Sequence, residues 1–514
     1  MRVEGVCSAK HRGEWTVKRI LKYILIGAMI LIWVAVAAFA CELGQRLYDR
    51  RMRKPVEDYR SKRSAELFQR NDAFFKANKA PDTPMPGGEM IERESFGKLD
   101  EPGRAEFAAK RNELILSCDR EGKILSLYSA SSQPQIVALE SMLKPGDVFA
   151  KILPETEGKD SMAALASVFT SGMHAPREYE INLPTGEKYL SEWCFFPVKN
   201  LSGTTDGVNV FVRDSTWEIT WVRFRKNVFR NDAYVFQTNS WGFRDREFSV
   251  PKPDGVVRIA CIGGSTTVEG PANEMTYPKM LERRLRDIFG EGKVEVINCG
   301  VFAITTRIEL DNIKDALALQ PDILIHYNYV NDVPTLLSKK KEDAERGVEN
   351  IKRYLFDSRF LYRHFNWFFM PPERTLERNM DETVFAWLKQ IRDIAARNGA
   401  ELALCSFARP ELGAIPTEER LNYDNLIHNM LWGQALSIES YIHLTDLYNA
   451  KLHAMCEREG MIYIPVAEGM RGGMEIFTDI CHMQLEAMEQ KARVVCDAIK
   501  DRVAELLAQK GQKK

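Results

Sequence analysis

Between residue 255 and the C-terminus, short apolar runs alternate with amphipathic stretches, an order that few folds accept. VRIACI (257–262), VEVIN (294–298), ILIHY (323–327), LALC (402–405) and MIYI (461–464) read as buried strands. Helices are expected at 277–289, 305–318, 382–398, 440–458 and 484–508, and in the first of them Met280, Leu281, Leu285 and Ile288 share one face. Strand–helix alternation builds a parallel sheet covered on both faces. The predicted class is therefore α/β, three layers deep, over residues 236–510 with an insertion at about 333–381. Functional groups in such sheets gather at the carboxyl ends of the strands.

The full chain has 514 residues, enough for two or three domains. Hydrophobic residues make up 45% and charged residues 28%, a globular balance. A formal net charge of −1 offers no basic field for nucleic acid. The ten cysteines form no Cys-x-x-Cys pair and no Cys/His cluster, which argues against a zinc site or a disulfide scaffold. A single long-range disulfide stays open. No residue identifies a cofactor, and oligomeric state is not legible.

One segment breaks from this soluble composition. Residues 23–41 (YILIGAMILIWVAVAAFAC) carry no charge over 19 positions, with Lys18, Arg19 and Lys22 before them and Arg46, Arg50 and Arg51 after. A spanning helix needs about 20 apolar residues, and a signal-peptide core has about 7–15, so an uncleaved single-pass anchor is expected. Basic residues flank both sides evenly, so the charge rule does not orient it. The short N-terminal arm (1–22) and the large C-terminal bulk fit a cytoplasmic N-terminus and an extracytoplasmic remainder. Residues 42–109 read as a charged helical stalk followed by a linker, marked by APDTPMPGG at 80–88.

In the middle region, LILSC (114–118) and ILSLY (124–128) are strand-like and are separated by Asp-Arg-Glu-Gly-Lys. A helical stretch around 163–169 follows, then strand-like runs at 177–183, 189–198 and 208–213 with Pro-Thr-Gly and Ser-Gly-Thr-Thr-Asp-Gly turns. Two strands, helices, then three antiparallel strands over residues 110–216 resemble a PAS domain, a pattern without a catalytic signature. A generic α+β spacer accounts for the same pattern.

The chemistry-bearing residues lie at the ends of the C-terminal strands. The first strand runs into Gly263-Gly-Ser265, where Ser265 can act as a nucleophile if a base reaches it, or simply cap a helix. No Walker loop and no Gly-x-Ser-x-Gly elbow is present. Gly300 ends the second strand, and Asn331 follows the third. The Gly300 amide and the Asn331 side chain are candidate donors to an oxyanion, each with an alternative as a turn residue. Asp479 and His482 stand three residues apart just before the last helix. There Asp479 could orient the imidazole, or cap the helix while His482 is solvated.

These ordered blocks resemble the SGNH (GDSL-like) hydrolases, named for a Ser, Gly, Asn and His matched here by Ser265, Gly300, Asn331 and His482. The final Asp-x-x-His is matched by Asp479-Ile-Cys-His482. The usual Asp of Gly-Asp-Ser is Gly264, and the usual Gly of Gly-x-Asn-Asp is Tyr329. The run Thr238-Asn-Ser-Trp-Gly-Phe-Arg244 looks like a lead-in found in many such proteins. The resemblance implies a flavodoxin-like domain and a Ser265–His482–Asp479 triad, with an oxyanion held by the Ser265 and Gly300 amides and Asn331. It implies hydrolysis of a carboxylic ester on a small molecule, glycan or lipid. Acyl transfer would use the same residues, and a non-catalytic sensor or scaffold would leave them idle. The aromatic, Arg-dotted insertion reads either as a surface for membrane or acyl chains, or as core packing.

Overall fold

The structure, a computed structural model, describes residues 6–79, 96, 99–111, 113–129, 134–171, 177–199, 205–215, 223–231, 235–337, 359–428 and 436–512. The side chains of residues 6–32, 35, 109–111, 170–171, 199, 214, 230–231, 366–369, 414 and 428 lie outside that description. Chain contacts divide it into two units, one of residues 1–66, 337–376 and 412–444, the other of residues 67–336, 377–411 and 445–514.

Helix α1 (Val6–Asn78) begins in the first unit and ends in the second. The expected stalk is therefore continuous with the helix that precedes it. Of the expected membrane span at 23–41, residues 23–32 and 35 fall outside the described side chains. Among the described residues no helix is long and apolar enough to cross a membrane.

In the second unit, α2 (Glu101–Arg111) leads into β1 (Leu114–Cys118) and β2 (Ile124–Tyr128). Helices α3 (Pro134–Ser141) and α4 (Glu155–Ser171) follow, then β3 (Arg177–Asn182), β4 (Lys188–Lys199) and β5 (Thr205–Asp214). The five strands form an antiparallel sheet in the order β2-β1-β5-β4-β3. Two strands, helices and three strands is the arrangement the PAS resemblance implies. Residues alternate between two cores because side chains of a strand point to opposite faces. Leu114, Leu116, Trp193, Phe195, Val210 and Val212 join the core that contains Phe149 and Leu165, while Ile115, Cys194, Phe196 and Phe211 join Phe96 and Ala108 on the other side. A short hairpin, β6 (Phe229–Asn231) with β7 (Val235–Gln237), comes before the second sheet.

That sheet starts with β8 (Val257–Gly263), buried at all seven positions. Then come α5 (Ser265–Val268), α6 (Tyr277–Phe289), β9 (Val294–Asn298), α7 (Thr306–Leu317) and β10 (Ile323–Tyr327). Before the next strand the chain forms α8 (Arg359–Phe369) and α9 (Val384–Arg397). β11 (Glu401–Cys405), α10 (Thr417–His428), α11 (Ile438–Glu459), β12 (Ile462–Ile464) and α12 (Leu485–Gln512) complete it. The strands pair in parallel in the order β12-β11-β10-β8-β9. Helices α6 and α12 pack together, and α7 packs with α9. Right-handed crossovers put these pairs on opposite faces, giving the predicted α/β class with a parallel sheet. Strand order reverses at β8, so the crevice between the ends of β8 and β10 is the topological switch point.

The edge strand β9 is closed by side chains. Val296 N–H donates to Glu282 Oε1 (3.0 Å), Asn298 N–H donates to Asp245 Oδ2 (2.9 Å), and Lys279 Nζ donates to Val296 O (2.6 Å). Burial pushes the Glu282 carboxyl up, but Lys279 and Arg246 outweigh it and hold the group at about 2.

In the first unit, α8 starts on Glu42, whose carboxylate accepts the Arg359 (3.3 Å) and Phe360 (3.1 Å) amides. Arg363 pairs with Asp49 (2.6 Å) and Asp424 (3.2 Å), and the Tyr362 hydroxyl donates to Leu436 O (2.6 Å). Residues 338–358 of the expected insertion lie outside the described residues.

Candidate active site

Ser265 is delivered to the switch point by β8, a fully buried strand that has a neighbour on each side in the sheet. Gly264 is the N-cap of α5 and Ser265 its first residue, so Ser265 does not act as the cap. Its hydroxyl instead lies 2.8 Å from His482 Nε2. Its amide is the first N–H of α5, a position with no intrahelical acceptor. A Cβ on Gly264 would stand 2.6 Å from Asn331 Nδ2 and 3.1 Å from Asn328 Oδ1, so a side chain here would require those two asparagine side chains to shift.

His482 Nδ1 lies 2.6 Å from Asp479 Oδ2, completing a Ser265–His482–Asp479 chain of hydrogen bonds. The three-residue spacing works through a turn rather than a helix start. Asp479 Oδ1 accepts the amides of Cys481 (2.8 Å) and His482 (2.8 Å), while α12 begins only at Leu485, so Asp479 is not that helix's cap. Both side chains keep about 30% of their exposure, enough for a substrate to reach the imidazole (31% and 28%).

Burial pushes the Asp479 carboxyl up, but the bond and charge of His482 and the two turn amides overcome it, leaving it at about 2. His482 is raised well above the ordinary imidazole value by the Cys481 sulfur, 3.6 Å from Nδ1, and by Asp479, against burial. Cys481 is itself pushed by burial up to about 12, so near neutral pH it is an uncharged thiol and the rise rests on Asp479.

The other two expected site residues stand at the same sheet edge with different engagements. The buried Gly300 amide donates to Asn298 Oδ1 (3.1 Å), so its hydrogen is already placed. A Cβ there would stand 2.9 Å from Thr267 Cβ and from Val268 N, so this glycine permits the second strand's loop to lie against α5. Asn331 Nδ2 gives a hydrogen to Ile304 O (3.0 Å), leaving its second N–H, and its side chain is partly exposed. The adjacent Asp332 is wholly buried and receives Thr306 N (3.0 Å) and Thr306 Oγ1 (2.6 Å), anchoring α7. Burial pushes its carboxyl up to about 7.

Several supporting residues escaped the sequence reading. Glu269, four positions after the serine, accepts Met483 N (3.1 Å) with one oxygen and pairs with Lys491 (3.0 Å) through the other. Lys491, buried on α12, also donates to Thr266 O (2.8 Å) and lies over the Tyr277 and Tyr327 rings (4.4 and 4.6 Å). The signal was a lysine within the apolar stripe of Met488, Ala492, Val495 and Ile499. Arg244 of the lead-in run donates to Val268 O (2.6 Å) and Gly270 O (2.8 Å), fixing the segment that leaves α5. Asn328 donates to Ile304 O (2.9 Å) and Glu309 Oε1 (2.8 Å), and His326, expected as a strand residue, meets Glu309 Oε2 at 2.7 Å. Among the described residues, Asp479, Cys481 and His482 are close enough together to hold a metal ion, but Asp479 and His482 are joined to each other and His482 to Ser265.

No family profile matches the sequence, and no curated protein matches it. The solved structures that this chain is similar to include lipolytic G-D-S-L hydrolases and PAS domains, at low identity and over part of its length. A GDSL-like lipase from Bacteroides thetaiotaomicron is 13% identical, covering 48% of this chain and 88% of its own, with a TM-score of 0.28. A member of the lipolytic protein G-D-S-L family from Veillonella parvula is 10% identical, covering 48% and 97%, with a TM-score of 0.26. A PAS domain from Colwellia psychrerythraea is 14% identical, covering 22% and 94%, with a TM-score of 0.19.

Proposed function

We propose that the chain is a membrane-anchored serine hydrolase of carboxylic esters, with Ser265 as nucleophile, His482 as base and Asp479 as the group that orients and charges the imidazole. The observation that carries this reading is the continuous pair of short contacts, 2.8 Å from Ser265 Oγ to His482 Nε2 and 2.6 Å from His482 Nδ1 to Asp479, at a partly exposed sheet edge. Nε2 takes the hydroxyl proton as Oγ attacks the acyl carbonyl. The tetrahedral oxyanion is held by the Ser265 amide and the unengaged N–H of Asn331, and by the Gly300 amide once it is shared with or released from Asn298. Collapse breaks the ester C–O bond, and the imidazolium gives its proton to the leaving alcohol. Water, deprotonated by His482, then attacks the acyl-serine and frees the acid and Ser265.

An O-acylated glycan or lipid fits an anchor at residues 23–41, with residues 42–514 on the extracytoplasmic side. The anchor is supported by the uncharged run, the helical backbone of α1 through it, and the exposure of Trp33, Val34, Val36 and Phe39 (52–70%). Fluorophosphonate labelling of the full chain tests the enzyme. Wild type takes the label and Ser265→Ala does not; folded wild-type protein that takes none would sink the reading and favour a scaffold.

A further inference from the structure

We propose that Asn71, near the end of α1, is a positioning residue for His482, so that the stalk helix completes the catalytic geometry. This rests on the triad reading above. Gln484 is the N-cap of α12, since its carbonyl accepts the first intrahelical bond, from Met488 N (3.0 Å). Good caps are Ser, Thr, Asp and Asn, whose short side chains turn back onto first-turn amides. Gln484 is longer, and its Nε2 is committed to Met474 O (2.9 Å). The cap comes instead from a residue 414 positions earlier: Asn71 Oδ1 accepts Leu485 N (3.2 Å), and Asn71 Nδ2 donates to Gln484 Oε1 (2.8 Å).

Two neighbours reinforce this grip. Arg70 pairs with Glu486 beside it. Leu67 and Phe75, one helical turn to either side of Asn71, are buried, so this face of α1 is packed. His482 stands only three residues before Leu485. Its own carbonyl accepts Thr478 N (2.8 Å), and Met483 N is held by Glu269, whose amide in turn donates to Ser265 O (2.8 Å). The histidine segment is thus pinned by the nucleophile's element, by Ile476 O, which accepts Gln484 N (2.8 Å), and by the stalk. Releasing the stalk side frays the first turn of a 28-residue helix without unfolding it. The displacement therefore falls on the imidazole.

The test uses the full chain in detergent, comparing wild type, Asn71→Ala and Asn71→Asp. The aspartate keeps an acceptor for Leu485 N–H and suits the positive end of α12. Fluorophosphonate labelling of Ser265 in Asn71→Ala should slow by about tenfold, the size of a lost cap transmitted to histidine placement. Its pH dependence should move down toward an ordinary imidazole, the amides from Met483 to Glu486 should exchange faster, and Asn71→Asp, which keeps the acceptor for Leu485 N–H but gives up the donor to Gln484 Oε1, should recover part of the rate. Labelling and exchange equal to wild type in Asn71→Ala would overturn the proposal. So would a slower rate with an unmoved pH profile and no recovery by Asn71→Asp. Wild type that takes no label at all would defeat the hydrolase reading, while the exchange comparison would still decide whether Asn71 holds this segment.

Discussion

At the scale of single residues, the Asp479–His482 contact sets the working pH of the proposed reaction. Only the neutral imidazole can accept the Ser265 proton, and Asp479 raises the pKa above the ordinary value of about 6.5. Turnover should therefore be lost as pH falls through a value above 6.5, rather than at it. In Asp479→Asn the acid limb of kcat/KM should move down in pH while the plateau falls by a factor on the order of 10³–10⁴. A pH–rate profile of both proteins checks this. The same pair bears on stability with the opposite sense for its two members. What His482 contributes is full below about 6.5 and lost as pH rises through its folded value. What Asp479 contributes is full above about 3.9 and lost as pH falls toward its folded value of about 2.

At the scale of elements, the strands and helices of the parallel sheet were legible because each has a single periodicity. The run VEVIN, expected at 294–298, is β9 over those residues, and the helix expected at 277–289 is α6 over those residues. Ser265, Asp479 and His482 were legible as a set, since each ends a strand or precedes a helix on one sheet edge. What joins them was not. That Gly300 gives its hydrogen to Asn298, that a turn rather than a helix start brings Asp479 to His482, and that Asn71 caps a helix 414 positions away all depend on tertiary placement, which local patterns do not encode. Lys491 is a similar case, a charge whose position in an apolar stripe marks it as buried but whose partner is invisible in sequence. Its removal leaves Glu269 without its cation. Lys491→Met should cost about 3–5 kcal/mol in denaturant unfolding, and adding Glu269→Gln should restore part of it, the pattern of a buried ion pair.

At the scale of the whole molecule, the anchor we propose at residues 23–41 carries α1 across the bilayer. Orientation has a direct readout. Among the described cysteines Cys41 alone is exposed, while Cys7 lies on the other side of the uncharged run. With the remainder of the chain extracytoplasmic, an impermeant maleimide applied to sealed, right-side-out vesicles should label Cys41 and spare Cys7. The reverse pattern would place the catalytic unit in the cytoplasm.

Copies of this chain that meet flank to flank find the parallel sheet closed at β9. β9 is one of the two edges at which another copy, or a partly folded neighbour, would add a strand. Glu282 and Asp245 already occupy its outward amides and Lys279 one of its carbonyls, so an incoming strand must displace an ionic network before gaining its first hydrogen bond. On this flank, encounters between copies are met by charge instead of an open ladder.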